Sequence, residues 1–275
     1  MLLTSSMTVV KIAICVKQVP DSWAEKKMVD GRLDRQSVDA VLNDLDEYAI
    51  EEALRIVEPL NEGKESPEHT ITLISMGPER ATEAIRKALS MGADNAILIS
   101  DAALSGSDAL ATSKVLAEVI KNEGFDLVIC GTESTDARMS VVPAMLAQRL
   151  QFAQLTFAGK VAVDVAAKKV EIDRVTEFGV ETMSANFPVV VSVIEKINEP
   201  RYPSFKGIMA AKKKTITTKS LADLNIQSSA VGATAAWSNV KDALPRPAKA
   251  AGVKVQDDGS GADKLVEYLK EKRLA

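Results

Sequence analysis

Residues 131–143, which follow the apolar run 127–130, have the composition of a phosphate-binding loop. Gly131 lets the backbone turn tightly off a strand, and the start of the next helix offers free N–H groups and a favourable dipole to an anion. Ser140 adds a hydroxyl group, and Arg138 adds a positive charge. An ordinary capped strand-to-helix loop would have the same residues, so both interpretations stay open at this point.

Two other glycine-containing motifs do not fit a nucleotide site. Residues 259–261, Gly-Ser-Gly, resemble the start of a dinucleotide fingerprint, but no predicted strand precedes them and no third glycine follows. Residues 105–108, Ser-Gly-Ser-Asp, resemble a pyrophosphatase loop without its double glycine, and Ser107 and Asp108 are better explained as helix caps. We therefore predict a linker at the first motif and a cap at the second.

Side chains that could support catalysis are few. Cys15 and Cys130 are far apart and form no Cys-x-x-Cys pattern, so we expect buried thiols at strand ends rather than a disulfide framework or metal site. The single His69 lies among polar residues and is predicted to be exposed. Asp44 and Asp46 share one helical turn as acids of a helix start. The residues thus predict nucleotide binding without catalytic residues or a metal site.

Composition excludes several classes of protein. The 275 residues are 46% hydrophobic and 26% charged with a net charge of −4, which disfavours a protein devoted to nucleic acid. The basic run 212–214 is interpreted as a solvated segment. No apolar run reaches the roughly 20 residues that span a bilayer, and residues 1–7 lack the features of a signal peptide. We expect a cytoplasmic protein without membrane insertion.

Short apolar strands alternate with helices in the first part of the chain. Strands are predicted at 9–16, 70–76, 96–99 and 127–130, and helices at 45–57, 81–91, 109–122 and 140–150. A capping box is predicted at 44–47. This alternation is typical of a doubly wound parallel α/β sheet, placed at residues 7 to about 155. Ligands of such sheets bind at the carboxyl ends of strands, here after Cys15, Met76 and Cys130.

The pattern changes after about residue 155. Runs 161–165 and 170–175 flank a turn and predict a β-hairpin extension at about 159–185, with a further strand at 189–194. We assign 7–197 to one α/β nucleotide-binding domain. Residues 198–251 are rich in Pro, Lys, Ser and Ala and lack clear periodicity, and a last helix is predicted at 262–272. Residues 198–275 are therefore predicted to be an arm that packs on another surface.

The run 198–214 reads Asn-Glu-Pro-Arg-Tyr-Pro-Ser-Phe-Lys-Gly-Ile-Met-Ala-Ala-Lys-Lys-Lys and resembles the signature of electron transfer flavoprotein beta subunits. Residues 17–21, Asn43 with the Glu-x-Ala-x-Glu-Glu-Ala pattern at 47–53, and residues 77–78 and 85–94 resemble other family segments in the same order. The resemblance covers nearly all of residues 9–214.

The resemblance implies a heterodimer in which an alpha subunit supplies most contacts to one FAD and the beta subunit buries a structural AMP. This sequence departs from the family pattern at Glu133, Ala137, Arg138, Val141 and Val142. Some bifurcating members carry a second FAD in place of AMP, and this remains an alternative. The AMP contacts that it implies are Cys15, Asn43, Asp44, Leu45, Asp46, Met76, Gly131, Thr132, Glu133, Ser134, Thr135, Asp136, Ala137, Arg138, Met139, Ser140, Val141 and Val142.

The resemblance also implies a partner-recognition loop with Phe205 as its apolar anchor. Without the family match, packing of Phe205 inside the complex would be the preferred interpretation. The implied loop residues are Arg201, Tyr202, Pro203, Ser204, Phe205, Lys206, Gly207, Ile208, Met209 and Ala210.

The implied function is electron transfer rather than catalysis. Electrons from flavin dehydrogenases, such as the acyl-CoA dehydrogenases of fatty acid beta-oxidation, would pass through FAD to the respiratory chain through a quinone oxidoreductase. The alternatives are a stand-alone ATP-binding regulatory protein of the universal-stress type, which would have no use for the arm after residue 188, and an adenylating enzyme, which would need the missing pyrophosphatase loop.

Overall fold

The computed structural model describes residues 9–66, 68–244, 247–249, 251–252 and 254–274. The chain divides into two compact units, Met1–Lys241 and Asp242–Ala275. Residues 1–7, which lack the features of a signal peptide, lie outside the described residues.

The elements follow the predicted alternation of strands and helices. The strands are β1 (Lys11–Cys15), β2 (Gln18–Pro20), β3 (Met28–Val29), β4 (Arg32–Leu33), β5 (Ala40–Leu42), β6 (Thr70–Met76), β7 (Asn95–Ile99), β8 (Leu127–Gly131), β9 (Ala153–Asp164), β10 (Lys169–Thr176), β11 (Gly179–Asn186), β12 (Val189–Val193) and β13 (Ile216–Lys219). The helices are α1 (Asp44–Asn61), α2 (Thr82–Met91), α3 (Ala109–Glu123), α4 (Val142–Leu150), α5 (Phe205–Lys213), α6 (Gly232–Ala235) and α7 (Gly261–Glu271).

One nine-stranded sheet forms the centre of the first unit, in the order β11-β10-β9-β12-β8-β1-β6-β7-β13. From β9 to β13 in this order, all neighbouring strands run parallel. At the other edge, β10 pairs antiparallel with both β9 and β11. The chain winds from β1 towards β6 and β7 and then returns to β8 on the other side of β1. The strand order therefore reverses between β1 and β8, as a doubly wound sheet requires, and the predicted fold class is confirmed.

Both faces of the sheet are covered, which explains why the strands are almost uniformly apolar. Ile12 and Ile14 of β1 pack in the core with residues of α1 and α2. Ala13, between them, packs in the second core with residues of α3 and α4. Because successive strand side chains point to opposite faces, both layers need apolar residues on every central strand.

The predicted hairpin extension is continuous with this sheet. The first residues of β9 pair with β12, and its last residues pair with β10. A strand of 12 residues therefore serves both the core and the extension. The tip of the β10–β11 hairpin carries Phe178, which is 93% exposed.

The segment after residue 198 is more ordered than its composition predicts, because it contains α5 and β13. Gly207 permits close packing of α5 on α2, since a Cβ atom at this position would lie 2.5 Å from the Ser90 carbonyl oxygen. Arg86 donates a hydrogen bond of 2.6 Å to the Ala211 carbonyl near the end of α5. Only Ala211 of α5 is buried, so the helix has no apolar stripe facing the core that its sequence could reveal.

The second unit carries α7, close to the predicted boundaries. Its Leu265, Val266 and Tyr268 side chains are exposed. The Gly-Ser-Gly motif at 259–261 leads directly into this helix, as predicted for a linker.

The motif at 105–108 acts as a cap and also receives a later part of the chain. Asp108 is the N-cap of α3, and its carboxylate accepts a hydrogen bond of 2.9 Å from the Ala111 N–H. The other carboxylate oxygen accepts one of 2.8 Å from the Trp237 N–H. Ser107 accepts one of 2.9 Å from the Gly232 N–H. The predicted cap is thus confirmed, and the motif also fastens residues 232–238.

Replacing Asp108 should separate these two roles. Asp108→Ala removes both acceptors, and loss of the cap alone lowers the free energy of unfolding by about 0.5–2 kcal/mol. Asp108→Asn keeps one acceptor oxygen for Ala111, so we expect it to lose less stability. Urea unfolding of both variants measures the difference; equal stability of Asp108→Ala and the wild type would contradict the assignment.

Candidate nucleotide site and docking segment

The two cysteines lie side by side at the point where the strand order reverses. Cys15 of β1 and Cys130 of β8 are Cα partners in the parallel ladder. Both are free thiols, with Cys130 buried and Cys15 half-buried. Contact with the Cys15 thiol, together with burial, raises the pKa of Cys130. Met76, at the end of neighbouring β6, packs in the same apolar cluster as Cys15, so the ends of three adjacent strands meet there.

The start of α1 lies directly against the end of β8. A Cβ atom at Gly131 would be 2.7 Å from the Leu45 carbonyl oxygen and 2.8 Å from an Asp46 carboxylate oxygen. Only glycine permits this approach. Thr132 then donates a hydrogen bond of 2.6 Å to the Val193 carbonyl at the end of β12. The loop after β8 is therefore fixed to the elements on both of its sides.

Asn43 is the N-cap of α1, and its buried amide joins the helix to the loop after β8. Its Oδ1 accepts a hydrogen bond of 3.0 Å from the Thr135 N–H. Its Nδ2 donates to the Glu133 carbonyl at 3.0 Å and to Asp46 Oδ1 at 2.9 Å. The capping box predicted with Asp44 as its cap is wrong, because the helix already begins at Asp44, whose side chain is exposed.

Asp46 is a buried carboxyl group at the centre of this arrangement. It accepts a hydrogen bond of 2.8 Å from the Lys17 N–H, in addition to the one from Asn43. These bonds favour its charged form. Burial outweighs them and raises the pKa of Asp46 to about 7. Asp46 is therefore partly protonated at neutral pH.

Asp136 is the charged counterpart of Asp46, and its two partners were not predicted. Lys17 donates to its carboxylate at 2.9 Å and to the Ser134 hydroxyl at 3.2 Å, and Arg35 makes a second ion pair with it. Burial acts to raise the pKa of Asp136, but the two cations hold it at about 2. Lys17 could have been found, because it follows β1 directly; Arg35 comes from a loop whose sequence carries no such signal.

The second half of the loop turns the chain into α4. Arg138 and Ser140 have left-handed φ angles of 49° and 54°. Their side chains face Glu133, which accepts hydrogen bonds of 3.4 Å and 2.9 Å from them. Among the described residues, no side chain caps the N-terminus of α4, and its N-cap is Val141. Free backbone N–H groups at a helix start favour an anion in general, whereas the Ser140 and Arg138 side chains here are bonded to the Glu133 carboxylate.

The predicted recognition loop is largely helical. Ser204 is the N-cap of α5 and accepts a hydrogen bond of 3.0 Å from the Gly207 N–H, so residues 205–210 form a helix. Phe205 is 80% exposed and Tyr202 is 97% exposed. Ile208 and Met209 are also exposed and follow Phe205 at a spacing of three and four residues. The apolar side of α5 therefore faces outward.

Arg201 fastens the start of this segment to α1. Its Nε and Nη2 atoms donate to the Glu51 carboxylate at 2.8 Å and 3.0 Å. Nη2 also donates to Glu58 at 3.0 Å, and Nη1 donates to the same carboxylate. We call Arg201, Glu51 and Glu58 the arginine clamp. Glu51 and Glu58 raise the pKa of Arg201 above its ordinary value.

Asn198 makes a second connection to α1. Its Nδ2 donates to the Tyr48 carbonyl and to Glu52 Oε2, both at 3.0 Å. Glu51 and Glu52 are both buried. The acidic pattern at 47–53 and the signature at 198–214 thus meet in space. A buried glutamate needs a positively charged or hydrogen-bonding partner. The acidic pattern could therefore have indicated that a partner exists, but the sequence does not show which residue it is.

His69 differs from its prediction as an exposed residue. It is 4% exposed, and its Nδ1 accepts a hydrogen bond of 3.2 Å from the Val10 N–H. Burial lowers the pKa of His69. The neighbours of His69 in the sequence are polar and therefore suggested exposure. In the structure, the His69 side chain covers the amino end of the sheet.

The fold and the site define a doubly wound α/β domain with a candidate nucleotide site and an outward-facing amphipathic helix. A family model described as electron transfer flavoprotein domain matches residues 30–224. The electron transfer flavoprotein subunit beta of Mycobacterium bovis is 48% identical over 266 residues, covering 96% of this chain and 98% of the relative.

Two more distant relatives extend the comparison. The electron transfer flavoprotein subunit beta of Megasphaera elsdenii is 34% identical over 276 residues, covering 96% of this chain and 98% of the relative. The caffeyl-CoA reductase-Etf complex subunit CarD of Acetobacterium woodii is 34% identical over 270 residues, covering 96% and 99%. The chain belongs to the electron transfer flavoprotein family, among its beta subunits. Within the described residues, every helix is too short or too polar to cross a bilayer.

Asp46 should make stability depend on pH in a recognisable window. Its folded-state pKa is about 7 against 3.8 unfolded, so folding takes up a proton between these values. The stabilisation is complete below about pH 4 and is lost as the pH rises through 7. Between pH 5 and 8, the wild type should lose on the order of 2 kcal/mol of unfolding free energy relative to Asp46→Asn.

Asp108→Asn is the control for this measurement, because Asp108 does not act on Asp46, and hydrogen bonds from backbone N–H groups outweigh burial and lower the pKa of Asp108 from 3.8, below the window. Its stability difference from the wild type should stay constant between pH 5 and 8. Urea unfolding at four pH values within the window measures both. A constant difference for Asp46→Asn would contradict the buried, protonated state of Asp46.

Proposed function

We propose that this chain is the beta subunit of a heterodimeric electron carrier that docks flavin dehydrogenases through α5. It accepts electrons, on an FAD held mainly by an alpha subunit, from dehydrogenases such as those that oxidise acyl-CoA in fatty acid beta-oxidation. The electrons pass to the respiratory chain through a quinone oxidoreductase, and the carrier works in the cytoplasm. The observation that carries this proposal is the outward apolar side of α5 in a chain of this family.

The exposed residues of the second unit support a partner subunit. Leu265, Val266 and Tyr268 of α7 are each about half exposed. Exposed apolar groups on one helix mark an interaction surface. We assign this surface, and residues 198–275 more broadly, to packing on the alpha subunit.

The nucleotide bound by this chain is proposed to be AMP. The Cys15–Cys130 edge, Asn43 and the loop from Gly131 to Val142 surround the point where the strand order reverses. The N–H groups at the start of α4 would hold the phosphate. AMP carries one phosphate group, so this short loop could satisfy it without a cationic side chain. Bound AMP would have a structural role, since the electron chemistry belongs to FAD.

Analysis of the purified complex tests both the partner and the nucleotide. Co-expression with its alpha subunit should give a yellow heterodimer that contains one FAD and one AMP after acid precipitation and chromatography of the supernatant. The interface should exceed about 2,000 Å² in total, as in permanent complexes. Two FAD molecules and no AMP would contradict the nucleotide assignment. A stable monomer that ignores the alpha subunit would contradict the heterodimer.

Phe205 is proposed to enter an apolar pocket of the dehydrogenase. Phe205→Ala should raise the apparent KM of the dehydrogenase for the carrier, because aromatic anchors contribute about 2 kcal/mol or more on truncation. FAD content and melting temperature should stay at the wild-type values. Stopped-flow reduction and a thermal melt on one preparation measure these quantities.

Phe178→Ala is the matched control for Phe205, because Phe178 is also almost fully exposed but lies on the β10–β11 hairpin. It should leave the apparent KM for the dehydrogenase unchanged. A lower melting temperature with normal electron transfer in Phe205→Ala would show that Phe205 packs within the complex and would overturn its docking role.

A further inference from the structure

The segment that carries the exposed aromatic residues is held at both ends. On one side, Asn198 and Arg201 are bonded to α1. On the other side, α5 packs on α2 through Gly207. Between these attachments lie only five residues, 202–206, and they include the two exposed aromatic side chains, Tyr202 and Phe205. A short chain with two fixed ends has few conformations open to it.

In the arginine clamp, the Arg201 guanidinium group donates four hydrogen bonds to the two glutamates. Glu51 and Glu58 each bind it through two carboxylate oxygens, and the Arg201 backbone N–H donates a further hydrogen bond of 3.2 Å to Glu51. Glu51 and Glu58 are seven residues apart on α1, which places them two turns apart on one side of the helix. Two bidentate carboxylates fix the plane of the guanidinium as well as its position.

Such a cluster is better suited to fix geometry than to stabilise the fold. The Arg201 side chain is 35% exposed and that of Glu58 is 53% exposed. The Arg201–Glu58 pair therefore contributes little stability because solvent screens it, whereas the Glu51 side chain is only 9% exposed and its pairing with Arg201 mainly offsets the cost of burying it. The directional hydrogen bonds of the clamp nevertheless hold the backbone at residue 201, directly before Tyr202. The clamp also lies outside the candidate nucleotide site, so that site gives no reason for it.

We infer that Glu51 and Glu58 are positioning residues for partner docking, which hold Arg201 so that Tyr202 and Phe205 are presented in one fixed arrangement. This inference rests on the proposed docking function of α5. Preorganisation lowers the entropy lost when a partner binds, so the clamp acts on the affinity of the encounter. Neither glutamate touches the partner in this scheme.

The test uses the complete heterodimer with its FAD and an acyl-CoA dehydrogenase that reduces the wild-type carrier. The double variant Glu51→Gln/Glu58→Gln should raise the apparent KM for the carrier about two- to tenfold, the loss expected when ordered side chains become mobile. Turnover at saturation, FAD content and melting temperature should stay close to those of the wild type. Amide hydrogen exchange should become faster at Arg201, Gly207 and Ile208, whose N–H groups are hydrogen-bonded at the two ends of the segment, and remain unchanged in β1 and β8.

Arg201→Lys tests the geometry of the clamp, because an ammonium group cannot bind two carboxylates in a bidentate manner. It should give an apparent KM between those of the wild type and the double variant. Lys64→Gln, which removes a surface ion pair with Glu68, is the control and should behave as the wild type. An unchanged KM in the double variant, or a lower melting temperature without a change in KM, would overturn the inference.

Phe205→Ala, measured in the same assay, separates this inference from the docking proposal. If Phe205→Ala raises KM and the clamp variants do not, the positioning role is wrong while docking through α5 stands. If Phe205→Ala has no effect on KM, docking through Phe205 is itself wrong. Faster exchange at Arg201, Gly207 and Ile208 in the double variant would then show that the clamp is a structural contact without a role in docking.

Discussion

The close contact between Gly131 and the first turn of α1 is the constraint on which the rest of the structure depends. It brings Leu45 and Asp46 against the end of β8, and it thereby fixes the position and direction of the whole helix. Asn43 then ties the loop after β8 to the helix start. Further along, Glu51 and Glu58 hold Arg201. One helix therefore supports the candidate nucleotide site at its first turn and the signature run 198–214 two to four turns later.

The carboxyl groups around this helix are kept in the interior by different physical means. Asp46 is partly protonated at neutral pH because burial outweighs its hydrogen bonds. Asp136 keeps its charge because Lys17 and Arg35 compensate for burial. Glu51 keeps its place through a guanidinium group. A buried carboxyl group is tolerated when it is neutralised or paired. Lys17 and Arg35 pair with Asp136, and Arg201 of the signature run pairs with Glu51.

Much of the fold follows from local sequence, whereas its polar network does not. The buried strands were predictable because parallel strands covered on both faces are apolar throughout. Asp108 was predictable as a cap because the cap is set by neighbouring residues. The clamp joins residues about 150 positions apart, and no local pattern encodes such a pair. α5 was missed because its apolar residues face outward, where the usual rule of apolar burial fails, and His69 was misassigned because a single polar neighbourhood says little about burial.

The contacts of Glu133 indicate that an anion in the candidate site would be bound by the backbone rather than by side chains. The Glu133 carboxylate accepts hydrogen bonds from Ser140 and Arg138, the two side chains that the sequence offers to a phosphate. A phosphate at this position would have to share those donors with an acid, which weakens side-chain recognition. The N–H groups at the start of α4 carry no such competition among the described residues. An anion bound there would be held mainly by the backbone, which the left-handed turns at Arg138 and Ser140 direct into α4.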